Sequence, residues 1–362
     1  MSGTSIDGLD FSLIKTDGKS NIKNLINDYF KFNDNFKESI KKLIKKFNQQ
    51  NYKLVLQSAE FKKFNQTFTY FLYKKIKIFL RKNNQYSKRI DVIGIHGNTL
   101  IHKPDEGFSI QLGDGILLSQ KLKTTIVSNF RTNDIKQQGQ GAPLVPIFHQ
   151  RKFAKKKKKI MVINIGGISN FTFLIGKRKI LASDLGPGNK LIDEFCSKQF
   201  RVNYDNYGKL SSRGKVDNQL ILKWSKKKFL NQSFPKSFDN AFFKLNDFVV
   251  RNNKNKYDLL RTLTYFTAFL MLNLKLKISC KIDKWIFSGG GVKNKTLMRD
   301  INQLLGNEIV LTSKDFNVNP FFVESQAFAY ISVRTLKKLP STYPNTTGCK
   351  KSTISGVIHN PD

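Results

Sequence analysis

The 362-residue sequence predicts an α/β protein of two lobes, on three observations. Short apolar or β-branched runs alternate with longer segments of helical periodicity, the pattern of a sheet flanked by helices. Each apolar run ends in a turn rich in Gly, Asn, Ser or His, so polar groups gather beyond the strand ends, where ligands bind in such sheets. Glycine-rich turns recur in both halves: Gly3-Thr4-Ser5-Ile6-Asp7-Gly8, Asn164-Ile165-Gly166-Gly167-Ile168-Ser169-Asn170 and Ser288-Gly289-Gly290-Gly291. That recurrence points to an old domain duplication.

In chain order, residues 60–81 read as a helix. Residues 90–95 and 124–127 read as strands, as do 160–165 and 284–287. Helical patterns cover residues 190–200, 216–229, 257–278, 294–305 and 324–339. Leu181 and Ala182 bring the chain in as a further strand, and Gly186-Pro187-Gly188 releases it into the helix that follows. The linker 153–159 separates two segments that each carry a phosphate-type turn. The expected domains are therefore 1–152 and 153–362, with the C-terminal helix and tail free to pack back on the first lobe. Residues 340–362 have little periodicity and read as an ordered tail or a loop.

Forty per cent hydrophobic residues, 31 of the chain's residues being Phe, give two domains enough material for a core each. No apolar run approaches the roughly 20 residues of a bilayer span, and no basic-then-apolar leader opens the chain, so a cytoplasmic location is the expectation. Cys196, Cys280 and Cys349 are scattered and read as reduced thiols. The 63 Lys+Arg against 26 Asp+Glu give a formal charge of +37, which raises nucleic acid as a partner. The charge is spread through the chain with abundant Asn, Ile, Phe and Tyr, the residues an AT-rich genome over-supplies, and codon bias is the preferred reading. The basic run 155–159 reads as a solvated linker.

A nucleotide held between two lobes needs a backbone-amide turn from each for its phosphates and a third turn against the nucleoside. The three glycine turns meet that need. The first, with two hydroxyls and Asp7, can hold phosphate oxygens and orient a hydrated Mg²⁺. In the second, Asn164 and Asn170 flank Gly166 and Gly167 without adding negative charge. The third, followed by Asn294, combines close approach with a base or ribose contact. Asp184, expected at a strand end facing the cleft, is either a general base for phosphoryl transfer or a brace for its own turn. His96, Asn98, Thr99 and His102 follow one strand and read as hydrogen-bonding groups rather than metal ligands. Arg131 suits a carboxylate or an ordinary ion pair. Glu324 either favours the positive end of its helix or reaches a substrate.

Together these segments closely resemble the anhydro-N-acetylmuramic acid kinase family, of the actin-like ATPase and sugar kinase superfamily. The resemblance runs nearly end to end: MSGTSIDGLD from Met1, GIHGNTLIHKP from Gly94, FSIQLGDG from Phe108, VSNFRTNDI from Val127, GQGAPLVPIFH from Gly139, NIGGISN from Asn164, DLGPGNKLID from Asp184, SGGGVKN from Ser288 and ESQAFAYISVR from Glu324. It implies a two-lobed actin-like ATPase fold, a duplicated ribonuclease H-like fold with an interlobe cleft. The implied reaction is ATP-dependent phosphorylation of 1,6-anhydro-N-acetylmuramic acid with hydrolytic opening of the anhydro ring, in peptidoglycan recycling. Asp184 would activate the water. Gly3, Thr4, Ser5, Ile6, Asp7, Gly8, Leu9 and Asp10 would form the first phosphate loop, with Asp7 toward Mg²⁺. Gly166 and Gly167 would form the second, and Gly289, Gly290, Gly291 and Asn294 the adenosine turn. Thr99, Arg131 and Glu324 would line the sugar pocket, Arg131 toward the lactyl carboxylate. A homodimer is also implied.

The sequence departs from the family pattern in three places. The sequence starts without the family's short leading strand, so either the start site is placed too late or the lobe lacks one strand, in which case the first loop is expected to be anchored on one side only. Asn98 stands where Gln is more usual. The segment 234–239 keeps Pro-Lys-Ser but not the residues that commonly follow. Two other functions stay open: a kinase for an ordinary hexosamine, with Asp184 acting directly on the hydroxyl, and a non-enzymatic ATPase-fold protein that binds nucleic acid.

Overall fold

A computed structural model of the chain describes residues 1–3, 6–47, 50–87, 89–238, 242–249 and 255–361. In chain order its strands are β1 (Gly8–Thr16), β2 (Ile22–Lys31), β3 (Ile93–Gly94), β4 (Thr99–Lys103), β5 (Phe108–Gln111), β6 (Ile126–Ser128), β7 (Lys159–Ile165), β8 (Ile168–Ile175), β9 (Lys179–Pro187), β10 (Lys284–Ser288), β11 (Val310–Thr312) and β12 (Val357–His359). The α/β class is borne out. The chain divides into two compact units, Met1–Lys152 with Glu324–Asp362, and Phe153–Val323.

The second unit is built on one sheet in the order β11-β10-β7-β8-β9. Strands β7, β8 and β9 form an antiparallel meander, and β10 and β11 run parallel to β7. A three-strand meander whose first strand also pairs with a parallel crossover is the ribonuclease H-like order. The run Lys-Ile-Met-Val-Ile-Asn-Ile of β7 is almost wholly buried, as a central strand covered on both faces must be. Helices Lys190–Phe200, Lys256–Ile278 and Lys295–Leu305 contribute Phe195, Phe266, Leu270 and Ile301 to the same core as Trp224, Trp285 and Phe287. Each such side chain withdrawn from water contributes about 1.5–3 kcal/mol before chain entropy is set against it.

The first unit repeats the order with a shortened first strand. β1 and β2 form an antiparallel pair, and β3 lies parallel to β6, which β12 flanks antiparallel. Between β1 and β3 stand Met1 and Ser2. The Asp10 amide donates to Met1 O at 2.8 Å, and the Met1 amine donates to Asp10 O at 2.9 Å. The Ser2 amide donates to His96 O at 2.9 Å, just beyond β3. Residues 1–2 thus occupy the place that β7 holds in the second unit. The expectation of a loop anchored on one side is corrected: the residues ahead of it are tied to β1 and to the end of β3.

Helices 190–200 and 257–278 appear as expected, the latter as Lys256–Ile278. The pattern at 216–229 does not form one helix. Asp217 caps Asn218–Ser225, the chain turns at Lys226 and Lys227, and Phe229 and Leu230 enter the core from a second short helix, Lys228–Asn231. Apolar spacing alone does not show that turn. Strand 90–95 shrinks to Ile93–Gly94, although the Ile95 amide still donates to Val127 O at 2.8 Å. The tail is ordered, with a helical turn Pro344–Thr347 and strand β12. Among the described residues, no helix is long and apolar enough to cross a membrane.

Candidate active-site residues

In the second unit, the expected groups meet because the strand register aligns them. Asp184 pairs with Asn170, Asn170 with Asn164, and Asn164 with Ser288, so four polar residues stand in one row across β9, β8, β7 and β10. The next row, Ser183, Phe171, Ile163 and Phe287, is buried and mostly apolar. Directly paired residues project from the same face of a sheet, so the polar row presents one edge of hydrogen-bonding groups. Both glycine turns of this unit open from it. The Asn189 and Lys190 amides donate to Gly166 O and Gly167 O at 2.8 and 3.1 Å, folding the turn after β9 onto the turn after β7. The Gly289 amide donates to Pro320 O at 3.0 Å.

Asp184 is 6% exposed. It lies inside β9 and not at its end, which corrects the placement expected from the Gly-Pro-Gly turn: β9 runs on through Leu185 and Gly186 to Pro187. A register shift between Ser169 and Asn170 accommodates the extra length. The Asp184 amide donates to Lys236 O at 2.9 Å, and the Phe238 amide donates to Asp184 Oδ2 at 2.9 Å. Asn294 is the N-cap of the helix Lys295–Leu305, its Oδ1 accepting from the Leu297 amide at 3.0 Å.

In the first unit, the segment around Gly3 is held by the side chain of Asn98, from the loop after β3. Ser2 Oγ donates to Asn98 Oδ1 at 2.8 Å, and Asn98 Nδ2 donates to Gly3 O at 3.0 Å. Thr4 and Ser5 lie outside the described residues. Ile6 takes a φ of 52°, a left-handed conformation that a β-branched residue adopts only under constraint. Gly8, Leu9 and Asp10 begin β1, and Asp7 is exposed. Burial pushes the Asp10 carboxyl up to about 7; the Met1 amine opposes the shift, and the carboxylates of Asp7 and Glu324 add to it. The carboxylates of Asp7 and Glu324 thus act electrostatically on Asp10. Among the described residues, no three His, Cys, Asp or Glu side chains gather into a metal-holding group.

Glu324 stands in the first turn of the helix Val323–Leu336. Thr99 opens β4, and its Oγ1 accepts from Gln111 Nε2 at 3.4 Å. Arg131 donates from Nη1 to Gly141 O at 2.8 Å. Its charge reaches His96 and His102: burial first and Arg131 second hold both imidazoles neutral, His102 down to about 3. His102 Nδ1 lies 3.0 Å from Ser109 Oγ. His96 packs on the Phe328 ring with centroids 4.4 Å apart. Sequence reading did not foresee the roles of Ser2, Ser288 and Lys236. Their partners lie far along the chain: strand register brings Ser288 to Asn164, a side-chain hydrogen bond ties Ser2 to Asn98, and a loop carries Lys236 to Asp184.

A family model described as anhydro-N-acetylmuramic acid kinase matches residues 1–361. A protein of Pelagibacter ubique (strain HTCC1062), named anhydro-N-acetylmuramic acid kinase, is 39% identical over 369 residues, covering 99% of this chain and 96% of the relative. One of the same name from Zymomonas mobilis subsp. mobilis is 33% identical over 361 residues, covering 99% and 98%. Among solved structures, the activator of the 2-hydroxyisocaproyl-CoA dehydratase from Clostridium difficile with bound ADPNP is 12% identical. It covers 62% of this chain and 73% of its own at a TM-score of 0.35, a likeness too slight to bear on function. With the family model spanning almost every residue and such relatives end to end, the chain belongs to the anhydro-N-acetylmuramic acid kinase family.

Proposed function

We propose that this kinase transfers the γ-phosphoryl group of ATP to O6 of 1,6-anhydro-N-acetylmuramic acid while water opens the 1,6-bridge, giving N-acetylmuramic acid 6-phosphate and ADP in peptidoglycan recycling. The observation that carries the reading is the polar row of Asp184, Asn170, Asn164 and Ser288 beside two glycine turns. A carboxylate at one end of a row from which two glycine turns open supports the reading, since phosphoryl transfer asks for little more than positioning and charge stabilisation. Asp184 takes a proton from water, and the water oxygen bonds to the anomeric carbon as its bond to O6 breaks. O6 bonds to the γ-phosphorus, and the bond from that phosphorus to the β-bridging oxygen breaks. Atoms balance as anhydro sugar, ATP and water in, sugar phosphate, ADP and a proton out.

In the first unit, Gly3 to Asp10 receive the phosphates, and Thr99, Arg131 and Glu324 receive the sugar, Arg131 facing the lactyl carboxylate. Mg²⁺ usually takes one or two protein carboxylates, completing its shell with phosphate oxygens and water. Asp7, exposed and within electrostatic reach of Asp10, fits that need, and the ion when bound supplies charge neutralisation to the transferred group.

Incubation with ATP, Mg²⁺ and either the anhydro sugar or its hydrated form tests the reading by product analysis. The 6-phosphate and ADP are expected from the anhydro sugar, and activity confined to the hydrated form would reject ring opening. Asp184→Asn is expected to lower kcat by about 10³-fold or more, with the KM for ATP nearly unchanged. Near-normal turnover in that variant would remove Asp184 as the base.

A further inference from the structure

Strand β9 is the last strand of its sheet, and an edge strand leaves backbone groups unpaired. Beside Asp184, this edge is covered by a loop from far along the chain. The Asp184 amide donates to Lys236 O at 2.9 Å and the Lys236 amide to Ser183 Oγ at 2.8 Å; Ser183 Oγ also lies 3.1 Å from Lys236 O. Two residues on, the Phe238 amide donates to Asp184 Oδ2 at 2.9 Å. We propose that segment 236–238 is a positioning clamp for Asp184, in which the Phe238 amide sets the carboxylate's orientation and the Lys236 ammonium holds it ionised. The proposal rests on the reading of Asp184 as the base.

Lys236 is only 9% exposed. Its Nζ donates to Phe229 O and lies 5.3 and 5.5 Å from the ring centroids of Phe234 and Phe238. A buried ammonium is expensive, and a methionine fills similar space without that penalty. Among the described residues, two charged groups act on it: Lys277 from the helix Lys256–Ile278 and Asp184 from β9. Burial, then Lys277, brings the Lys236 ammonium down to about 8, while Asp184 opposes the shift. Near neutral pH the group therefore remains cationic and favours the ionised carboxylate. Lys236 touches neither reacting atom in this scheme; it acts through Asp184.

The test is the pH profile of kcat/KM for sugar-dependent ATP turnover in the full chain. Lys236→Met is expected to move the acid limb up by about one pH unit, because removing a nearby cation raises a carboxylate's pKa. Lys236→Arg is expected to restore the limb. Ser183→Ala removes the side chain that anchors the segment and is expected to move the limb in the same direction, which keeps the clamp testable if Lys236→Met does not fold. A lower melting temperature or lower amplitude with the limb unmoved in the folded variants would overturn the clamp. Loss of turnover in Asp184→Asn alongside an unmoved limb would reject the clamp alone; near-normal turnover in Asp184→Asn would reject the base itself.

Discussion

Of the glycines in the turn after β10, two are demanded by the fold and one is not. Gly289 has φ +85°, and a Cβ there would lie 2.4 Å from Asn164 Oδ1 and 2.6 Å from Ile165 O. A Cβ on Gly291 would lie 2.3 Å from Ile165 Cγ2. Around Gly290 the nearest atom would be Asn189 Nδ2 at 3.7 Å, an ordinary contact. Alanine at 289 or 291 is therefore expected to lose about 1–3 kcal/mol in urea unfolding. Gly290→Ala is expected to stay within about 0.5 kcal/mol of the parent. If this turn lies against the nucleoside, Gly290→Ala should still raise the KM for ATP, by roughly tenfold for a lost close approach. An unchanged KM with unchanged stability would take Gly290 out of the nucleotide site.

At the scale of elements, the helices Lys256–Ile278 and Lys295–Leu305 are joined by a buried ion pair. Arg261 donates to Asp300 through both terminal nitrogens, Nη2 to Oδ1 at 2.8 Å, and Asp300 is fully buried. Removing one partner strands a charge in the core, so Arg261→Met is expected to lower stability by about 3–5 kcal/mol. The double variant Arg261→Met with Asp300→Leu is expected to recover most of it in the same unfolding assay; no recovery would mean that the arginine's packing, and not its charge, is what counts. Helices such as Lys295–Leu305, whose buried Leu297, Ile301 and Leu305 recur every four residues, were legible in the sequence because a periodic apolar face is a strong signal. The pair β1 and β2 was not. Its residues are mostly half-buried on both faces, and Lys, Asn and Asp interrupt the alternation that marks a strand. Asp184 was legible as a candidate base, yet its place inside β9 was not, because that depends on pairing with Asn170 on one side and Lys236 on the other.

Across the whole molecule, acid should act on one unit first. The chain has four histidines, His96, His102, His149 and His359, and all lie in the first unit. Burial lowers every one of them, His102 and His149 to about 3. A histidine neutral in the fold and titrating near 6.5 when unfolded binds fewer protons in the native state, so stability falls as pH drops from about 6.5 toward 3. Inside that window His102 and His149 each set a slope of at most about 1.4 kcal/mol per pH unit. Asp10, pushed up to about 7, works in the opposite sense: the fold holds its proton longer, so its contribution grows as pH falls from about 7 toward 4. One carboxyl does not offset the histidines, and the second unit contains none. Hydrogen exchange followed by mass spectrometry from pH 7 to 4.5 should therefore show peptides of 1–152 and 324–361 losing protection before those of 153–323. His149→Leu should flatten the dependence, because burial alone lowers that imidazole and leucine carries no proton to exchange. If the second unit opened first, or both opened together with an unchanged slope in His149→Leu, the histidines would not be the source of the acid sensitivity.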